Sequence, residues 1–227
     1  MIEVKKITRI YGKGATAFKA LDGVSFKLEK GANLAIQGKS GSGKSTLMHV
    51  LAGLDRPTSG SITINDQDLW SRKQAEIDAY RNQTIGFVFQ DFYLQTEETV
   101  LENIMVPLEI RGRGDRKAKA YQALERLEIK DKANNRASNL SGGEKQRVCI
   151  ARAIIGDPEI LFADEPTGNL DSKTSEKVNE ILFKLNRELG TTLIAVTHDE
   201  DFARTFANKI ILKDGKVIAH EGKELTV

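Results

Sequence analysis

One glycine-rich stretch has residue types and a spacing that could bind a triphosphate. Gly38, Gly43, Lys44 and Ser45 fit the pattern G-x-x-x-x-G-K-[ST]. Glycines let consecutive backbone N–H groups turn inward around an anion, and a following helix adds the positive end of its dipole. Lys44 would supply a mobile cation for the β- and γ-phosphates, and the Ser45 hydroxyl a ligand for Mg²⁺. The stretch predicts a nucleoside triphosphate site, with these candidate residues: Gly38, Lys39, Ser40, Gly41, Ser42, Gly43, Lys44, Ser45 and Thr46.

The residues on either side of this loop predict the elements that must position it. Leu34-Ala35-Ile36 is an apolar run short enough for a buried strand, and Leu47, Val50 and Leu51 follow at helical spacing. Strand, loop and helix together are the context that the pattern requires. The alternative is a Gly/Ser-rich surface loop with an incidental lysine, and the flanking elements favour the nucleotide site.

Two adjacent carboxylates, Asp164 and Glu165, follow a compact apolar strand predicted over Glu159 to Ala163. Open α/β sheets bind ligands at the carboxyl ends of their strands. There Asp164 would hold Mg²⁺, directly or through water, and Glu165 would orient or deprotonate an attacking water. The alternative is a pair of solvated acids, and the phosphate-loop pattern favours the catalytic interpretation.

Ser141 and Glu144 have the spacing of a capping box, which predicts a helix start. Gly142 and Gly143 fall in the first turn, where each costs about 1 kcal/mol relative to alanine. One interpretation is an imperfect helix start. The other is that bare backbone N–H groups at this helix end must approach an anion closely.

His198 follows a further buried strand, predicted over Thr192 to Val196. It is either a hydrogen-bonded loop residue or, at the same edge as the carboxylates, a contact of the γ-phosphate. Asn169 to Ser172 is predicted as a turn or helix cap, and Gly190 as the end of the helix that follows. Asp214-Gly215 predicts a hairpin turn.

The chain begins with strands, predicted over Met1 to Lys30, around a turn that carries Tyr11. Taken alone, Tyr11 is a strand-end packing residue. Residues from Thr99 to about Leu127 are predicted to be helical, with a kink or an end near Pro107 and a basic, glycine-containing connector over Arg111 to Lys117.

Length and composition limit the number of domains and the classes of partner that the chain can have. The 227 residues fit one large α/β domain, and 34 basic against 32 acidic residues leave a net charge of +2, which gives no electrostatic argument for nucleic acid binding. The one cysteine, Cys149, fits a reducing compartment and lies in an apolar helical run. No apolar run approaches the length that spans a bilayer, so any work at a membrane is expected from the cytoplasmic face and through a partner.

The order of these motifs resembles that of the ATP-binding subunit of an ABC transporter over nearly the whole chain. GKSGSGKST resembles the Walker A motif, Gln90 the Q-loop, and LSGGEKQR the ABC signature. ILFADEP resembles Walker B, Asn169 to Asp171 the D-loop, and His198 the switch histidine. Walker A occurs in many unrelated NTPases, whereas a signature between the two Walker motifs is specific to this family.

The resemblance implies an α/β fold with a P-loop NTPase (RecA-like) core and an N-terminal antiparallel β-subdomain. An α-helical subdomain, over about residues 91–155, would be inserted in that core and would carry the ABC signature. Residues 1–227 would form a single nucleotide-binding domain. ATP and Mg²⁺ are the implied cofactors.

The resemblance also implies roles for single residues. Tyr11 would stack on adenine, which reverses the interpretation given above, and Gln90 would reach both Mg²⁺ and a transmembrane partner. The implied catalytic residues are Glu165, His198 and Gln90; the implied metal ligands are Ser45, Gln90 and Asp164. Ser141, Gly142, Gly143 and Glu144 of the signature, with Asp171 of the D-loop, would close over ATP bound to a second copy.

The expected partners are therefore a second copy, head to tail across two ATP molecules, and transmembrane permease subunits that contact the segment after Gln90. The chain would lie peripherally on the cytoplasmic face of the inner or plasma membrane, with no nucleic acid partner. Its motifs look most like the lipoprotein-release and macrolide-efflux branch. A soluble ABC ATPase with a non-transport role is the alternative, and a P-loop kinase would leave LSGGEKQR unexplained.

Two positions depart from the family pattern. Lys39 stands where the family has a small residue or proline. Thr96, Glu97 and Glu98 stand where the relatives have a proline and aliphatic residues. We expect the partner to present a more basic surface to these glutamates.

Overall fold

A computed structural model of the protein describes residues 1–112 and 114–227. Arg113, in a basic glycine-containing connector, lies outside the described residues. The chain divides into two compact units, one of residues 1–81 and 192–227 and the other of residues 82–191. Among the described residues, no helix is long and apolar enough to cross a membrane. In chain order the elements are β1 (Ile2–Tyr11), β2 (Phe18–Leu28), β3 (Asn33–Gln37), α1 (Lys44–Leu51), β4 (Ser59–Ile64), β5 (Gln67–Asp68), α2 (Gln74–Gln83), β6 (Ile85–Val88), α3 (Val100–Ile110), α4 (Arg116–Arg126), α5 (Gly142–Ile154), β7 (Ile160–Asp164), α6 (Ser172–Leu189), β8 (Thr192–Val196), α7 (Glu200–Arg204), β9 (Asn208–Lys213), β10 (Lys216–Glu221) and β11 (Leu225–Thr226).

The first unit contains two sets of strands. One is an antiparallel sheet in the order β11-β2-β1-β4-β5, and the other has the order β10-β9-β3-β8. β3 runs parallel to both β8 and β9, and β9 turns into β10 as an antiparallel hairpin. The hairpin confirms the predicted turn, since Asp214 and Gly215 both adopt the positive φ (49° and 75°) that suits a two-residue loop.

β3 and β8 form the buried centre of this unit. Leu34, Ala35 and Ile36 have no exposed surface, and all five residues of β8 are buried. Strands covered on both faces read as continuous apolar runs, which is why the short runs in the sequence predicted them correctly. β3 therefore delivers the glycine-rich loop from a rigid base.

The second unit combines the parallel pair β6 and β7 with the helices α3 to α6. β6 and β7 pair from Ile85 with Ile160 to Val88 with Ala163. α5 approaches β6 closely at Gly86, where an added Cβ would lie 2.3 Å from the carbonyl oxygen of Ala153. Only glycine allows this approach, so α5 is held in register against the strand.

Most of the predicted elements are confirmed, with shifts at their ends. α5 begins after Ser141, α6 begins after Asp171, and Gly190 ends α6 in the left-handed conformation (φ 63°). Pro107 lies within α3, which ends three residues later at Ile110. The sequence interpretation did not include β5, β11 or α7.

Candidate nucleotide-binding site

The glycine-rich loop of the first unit joins the carboxyl end of β3 to α1. Gly38, Gly41 and Gly43 have φ values of 150°, 77° and 102°. A Cβ on Gly38 would lie 2.3 Å from the carbonyl oxygen of Leu212, and one on Gly43 would lie 2.4 Å from that of Ala20. Glycine is therefore required at both ends of the loop for conformation and for space.

Lys44 folds back over this loop. Its Nζ donates to the carbonyl oxygens of Gly38 at 2.8 Å and Lys39 at 3.1 Å, while the Lys39 side chain is exposed. The hydroxyl of Ser42 is buried and lacks a hydrogen-bond partner in the described residues. The loop thus holds a cation and an unsatisfied hydroxyl, which is the chemistry of an anion cradle.

Ser45 and Thr46 lie in the first turn of α1, whose N-cap is Gly43, a residue without a capping side chain. The orphan N–H groups of this helix end are therefore not satisfied by an N-cap side chain, and Ser45 is exposed. Ser40 and Gly41 are exposed at the tip of the loop.

Tyr11 is the last residue of β1, with 39% of its surface exposed. Its hydroxyl donates to Asp55 Oδ2 at 2.5 Å, and the Arg9 guanidinium lies 4.5 Å from the ring centroid. Arg9 also donates to both carboxylate oxygens of Asp55, at 2.8 and 2.6 Å. The ring is thus both a strand-end packing group and an exposed, fixed aromatic surface; its predicted stacking on adenine stays a prediction.

His198 is exposed in the loop between β8 and α7. This loop is fixed on one side by Asp199, whose carboxylate accepts from the backbone N–H groups of Asp201 and Phe202 and so caps α7. On the other side the Thr197 hydroxyl accepts from the Asp199 backbone N–H at 3.0 Å. The histidine therefore sits on a constrained loop at a strand end, as predicted from its position.

Asp164 and Glu165 lie at the carboxyl end of β7 in the second unit, and both are half-buried. Glu165 has a φ of 45°, the left-handed region that non-glycine residues rarely occupy. Such strain costs of order 1–3 kcal/mol and clusters at functional sites. The backbone turn therefore sets the direction of the Glu165 side chain where the sequence predicts the water-orienting base.

Gln90 lies beside the predicted D-loop in the same unit. The Asn169 side chain donates to the Gln90 carbonyl oxygen at 3.2 Å. A Cβ on Gly168 would lie 2.9 Å from Gln90 Nε2, so the amide packs against bare backbone. These contacts bring together two motifs that are 79 residues apart in sequence.

Ser141 and Glu144 form the predicted capping box at the start of α5. The Ser141 hydroxyl and backbone N–H donate to Glu144 Oε2, both at 2.8 Å, and the Ser141 hydroxyl accepts from the Glu144 backbone N–H. Hydrogen bonds from the Ser141 backbone and hydroxyl lower the pKa of Glu144, and Lys132, 3.4 Å away, lowers it further. Gly142 and Gly143 follow in the first turn of α5, and as glycines they have no side chain that could cover the backbone N–H groups there.

Asp171 caps α6 and holds Thr174 against the signature helix. Its carboxylate accepts from the Thr174 hydroxyl at 2.6 Å and from the Thr174 backbone N–H at 3.1 Å, which lowers the pKa of Asp171. A Cβ on Gly143 would lie 2.4 Å from the Thr174 methyl carbon. The interpretation of the sequence missed Thr174. Its position three residues after Asp171 was a local signal, because an N-cap carboxylate accepts a hydrogen bond from the residue at that position.

A groove of about 340 Å³ opens between the starts of α5 and α6. Its lining includes Ser141, Gly142, Gly143, Asn169, Leu170 and Val178, together with the charged residues Glu144, Arg147, Asp171 and Lys177. The N-terminal end of α5 adds the positive end of its helix dipole to this lining. The second unit thus presents an open groove in which the start of α5 is the part suited to an anion.

Together, a glycine-rich loop between a parallel strand and a helix, and carboxylates at a strand end, define an α/β P-loop nucleoside triphosphatase. The family model described as "ABC transporter" matches residues 21–168. The chain belongs to the ABC transporter family and is an ATP-binding, ATP-hydrolysing subunit of that family. The predicted fold class and ATPase activity are confirmed.

Named relatives show the same family. The chain is 44% identical over 221 residues to the lipoprotein-releasing system ATP-binding protein LolD of Geobacter metallireducens, covering 96% of this chain and 98% of that protein. It is 43% identical over 226 residues to the macrolide export ATP-binding/permease protein MacB of Chlorobaculum tepidum, covering 99% of this chain and 34% of MacB.

Among solved structures, the dimeric post-hydrolysis state of the ATP-binding cassette MJ0796 bound to ADP and Pi superposes with a TM-score of 0.89. It is 40% identical in sequence, and the alignment covers 98% of both chains. The resemblance to the lipoprotein-release and macrolide-efflux branch is confirmed by the relatives.

Proposed function

We propose that the chain is the ATPase subunit of a membrane complex and works as a head-to-tail homodimer that closes on two ATP molecules. The observation that carries the proposal is the capped N-terminus of α5. Ser141 and Glu144 hydrogen-bond to each other, and Gly142 and Gly143 line the open groove. A helix end of this kind binds anions.

The phosphate loop would bind the ATP of its own copy. Lys44 would exchange its carbonyl partners for the β- and γ-phosphates, and Tyr11 would offer its exposed ring to adenine. The signature residues of the second copy would cover the γ-phosphate from the opposite side. That the relative MJ0796 is dimeric supports this arrangement.

Mg²⁺ fits the oxygen donors that the motifs supply. The exposed residues Ser45 and Gln90 carry a hydroxyl and an amide oxygen, and Asp164 offers a carboxylate at the end of β7. Such few, hard oxygen ligands suit Mg²⁺, which keeps waters and binds substrate phosphates. When bound it would neutralise charge on the β- and γ-phosphates.

Hydrolysis would depend on Glu165, which would accept a hydrogen bond from the attacking water and direct its lone pair at the γ-phosphate. His198 would contact the γ-phosphate. Gln90 would contact the Mg²⁺ bound to that phosphate and so couple nucleotide binding to the position of the segment that follows it. Loss of the γ-phosphate would remove the anion shared by the two copies. The dimer would then open.

The test is the size of the Glu165→Gln variant in solution. The variant keeps the shape of the side chain but removes the base, so it should bind ATP–Mg²⁺ without turnover and accumulate as a dimer by light scattering. Lys44→Ala is the control, because it should lose tight nucleotide binding and stay monomeric. A Glu165→Gln variant that remains monomeric in saturating ATP–Mg²⁺ would contradict the sandwich.

We also propose that a transmembrane permease partner contacts the segment after Gln90, residues 91–99. Tyr93 is 67% exposed there, and Glu97 pairs with Arg136 at 3.2 Å. Hydrogen bonding and repulsion from Glu102 raise the pKa of the exposed Glu98. A partner cation would relieve that repulsion, which favours a basic contact surface.

Charge reversal tests this contact. Glu98→Lys should weaken co-purification with the co-expressed membrane protein, because the variant would face a basic surface with a like charge. Glu180→Lys, which alters an exposed glutamate on α6, is the matched control. Equal recovery of the membrane protein with both variants would refute the charge argument.

The names of the relatives favour lipoprotein release or drug export as the work of that complex. Residues 1–227 would then act as one nucleotide-binding domain on the cytoplasmic face of the membrane. Its helical subdomain, about residues 91–155, would carry both the partner contact and the signature.

A further inference from the structure

Gln146 is a fully buried residue of α5 whose side chain makes no hydrogen bond to any residue that the structure describes. Its exposed fraction is 0%, and both Oε1 and Nε2 lack a partner within the described residues. Buried amides are nearly always paired, and leaving one unpaired destabilises the fold. Such a group needs an explanation, and one explanation is a partner that the side chain meets only in another conformation.

The position of Gln146 on α5 suggests what that partner is. It lies three residues after Gly143 and three before Cys149. Residues three apart share a helix face, and the Cys149 Sγ contacts the carbonyl oxygen of Phe92 at 3.1 Å. Gln146 is therefore one turn closer to the signature end than the point at which α5 holds the segment after Gln90.

Side chains hold that segment in place. Arg152 donates to the carbonyl oxygens of Phe92 and Tyr93, at 2.8 and 2.7 Å. Asn103 donates to the Gln95 carbonyl oxygen and accepts from the Gln95 backbone N–H. Tyr93 has a φ of 45°. These hydrogen bonds join side chains to the backbone of a loop, so they can be replaced by others without breaking the backbone hydrogen bonds of a strand or a helix.

We propose that Gln146 is a positioning residue whose amide pairs with the backbone of residues 91–94 when nucleotide is bound. In the arrangement described here, Cys149 and Arg152 hold this backbone. In the nucleotide-bound arrangement, the segment moves one turn along α5 and satisfies the Gln146 amide. The proposal rests on the proposed function, because nucleotide must reach the signature end of the same helix.

The experiment compares wild type with Gln146→Leu and Gln146→Met, which fill the site without hydrogen-bonding groups. Amide hydrogen exchange of the peptide spanning residues 89–96 is measured with and without a non-hydrolysable ATP analogue and Mg²⁺. In wild type the nucleotide should change exchange in this peptide. In both variants that change should fall about three- to tenfold, the effect of one net hydrogen bond.

Melting temperature supplies a second readout with the opposite sign. Without nucleotide, Gln146→Leu should melt about 2–6 °C above wild type, since the unpaired amide is gone. A glutamine whose amide is already paired in the nucleotide-free protein would instead give a lower melting temperature in the variant, and that result would overturn the premise. Asn179→Leu is the matched control, because the Asn179 Oδ1 is also buried and unpaired but lies on α6; it should leave the nucleotide response of residues 89–96 unchanged.

An undiminished nucleotide response in folded Gln146→Leu and Gln146→Met would overturn the proposal. Dimer formation by the Glu165→Gln variant is measured independently and tests the proposed function. If that variant dimerises and the Gln146 variants respond normally, the proposed function stands and this inference fails.

Discussion

Gly143→Ala is predicted to be destabilising for a reason confined to one atom pair. Alanine normally favours a helix over glycine by about 1 kcal/mol. Here the added Cβ would lie 2.4 Å from the Thr174 methyl carbon. Ordinary contact begins near 3.4 Å, so the two atoms must separate by 3.4 − 2.4 = 1.0 Å.

Thr174 cannot yield freely, because its hydroxyl donates to Asp171 at 2.6 Å. Rotation about χ1 would break that bond, at about 1 kcal/mol, and overpacking costs about 1–3 kcal/mol. After the gain in helix propensity, the net loss is about 1–3 kcal/mol, or about 2–12 °C in melting temperature.

A double-mutant cycle with Thr174→Ser isolates the contact. Serine keeps the hydroxyl for Asp171 and removes the methyl, so Gly143→Ala in that background should be neutral or stabilising by up to about 1 kcal/mol. Thermal unfolding of the four proteins, monitored by circular dichroism, gives the coupling free energy between positions 143 and 174. Gly142→Ala is a control with a milder contact, 3.2 Å from Leu170 Cδ2. An equal loss from Gly143→Ala in both backgrounds would refute this reasoning.

Two further predictions follow from the pKa shifts. Because the folded pKa of Glu144 is lowered, its contribution to stability is present above its usual value of 4.5 and is lost as the pH falls below it. Wild type should therefore lose more unfolding free energy than Ser141→Ala between about pH 6 and about pH 3, and equal losses in urea titrations would contradict the capping network. Burial raises the pKa of Cys149 to about 11, so at pH 8 only about one thiol in a thousand is ionised. Iodoacetamide should label Cys149 in denaturant but not in the native protein, and native labelling at the rate of a free thiol would show that the site is open.

Local patterns predicted the elements that carry the site. The apolar run at Leu34 and the glycines after it identified the strand and the phosphate loop. Ser141, Asp171 and Gly190 marked helix ends because caps act within one turn. The same rule applied to Thr99 and Glu102, a second capping box that begins α3, and to Asp199, which begins α7. The helix start at Thr99 was predicted without its capping box being recognised, and the cap at Asp199 was missed.

Contacts distant in sequence could not be predicted in the same way. The Tyr11 hydroxyl finds Asp55, 44 residues away, and Gly143 meets Thr174 through the packing of two helices. The left-handed backbone of Glu165 has no composition signal, because it follows from how β7 joins the next turn. β5 and β11 have two residues each, too few for any periodicity to show.

The structure of the Glu165→Gln variant with ATP and Mg²⁺ tests the central claim most directly. It should show each γ-phosphate within hydrogen-bonding distance of Lys44 Nζ from one copy and of the Gly143 backbone N–H from the other. A nucleotide-loaded structure in which the α5 tips of both copies face away from every phosphate would contradict it.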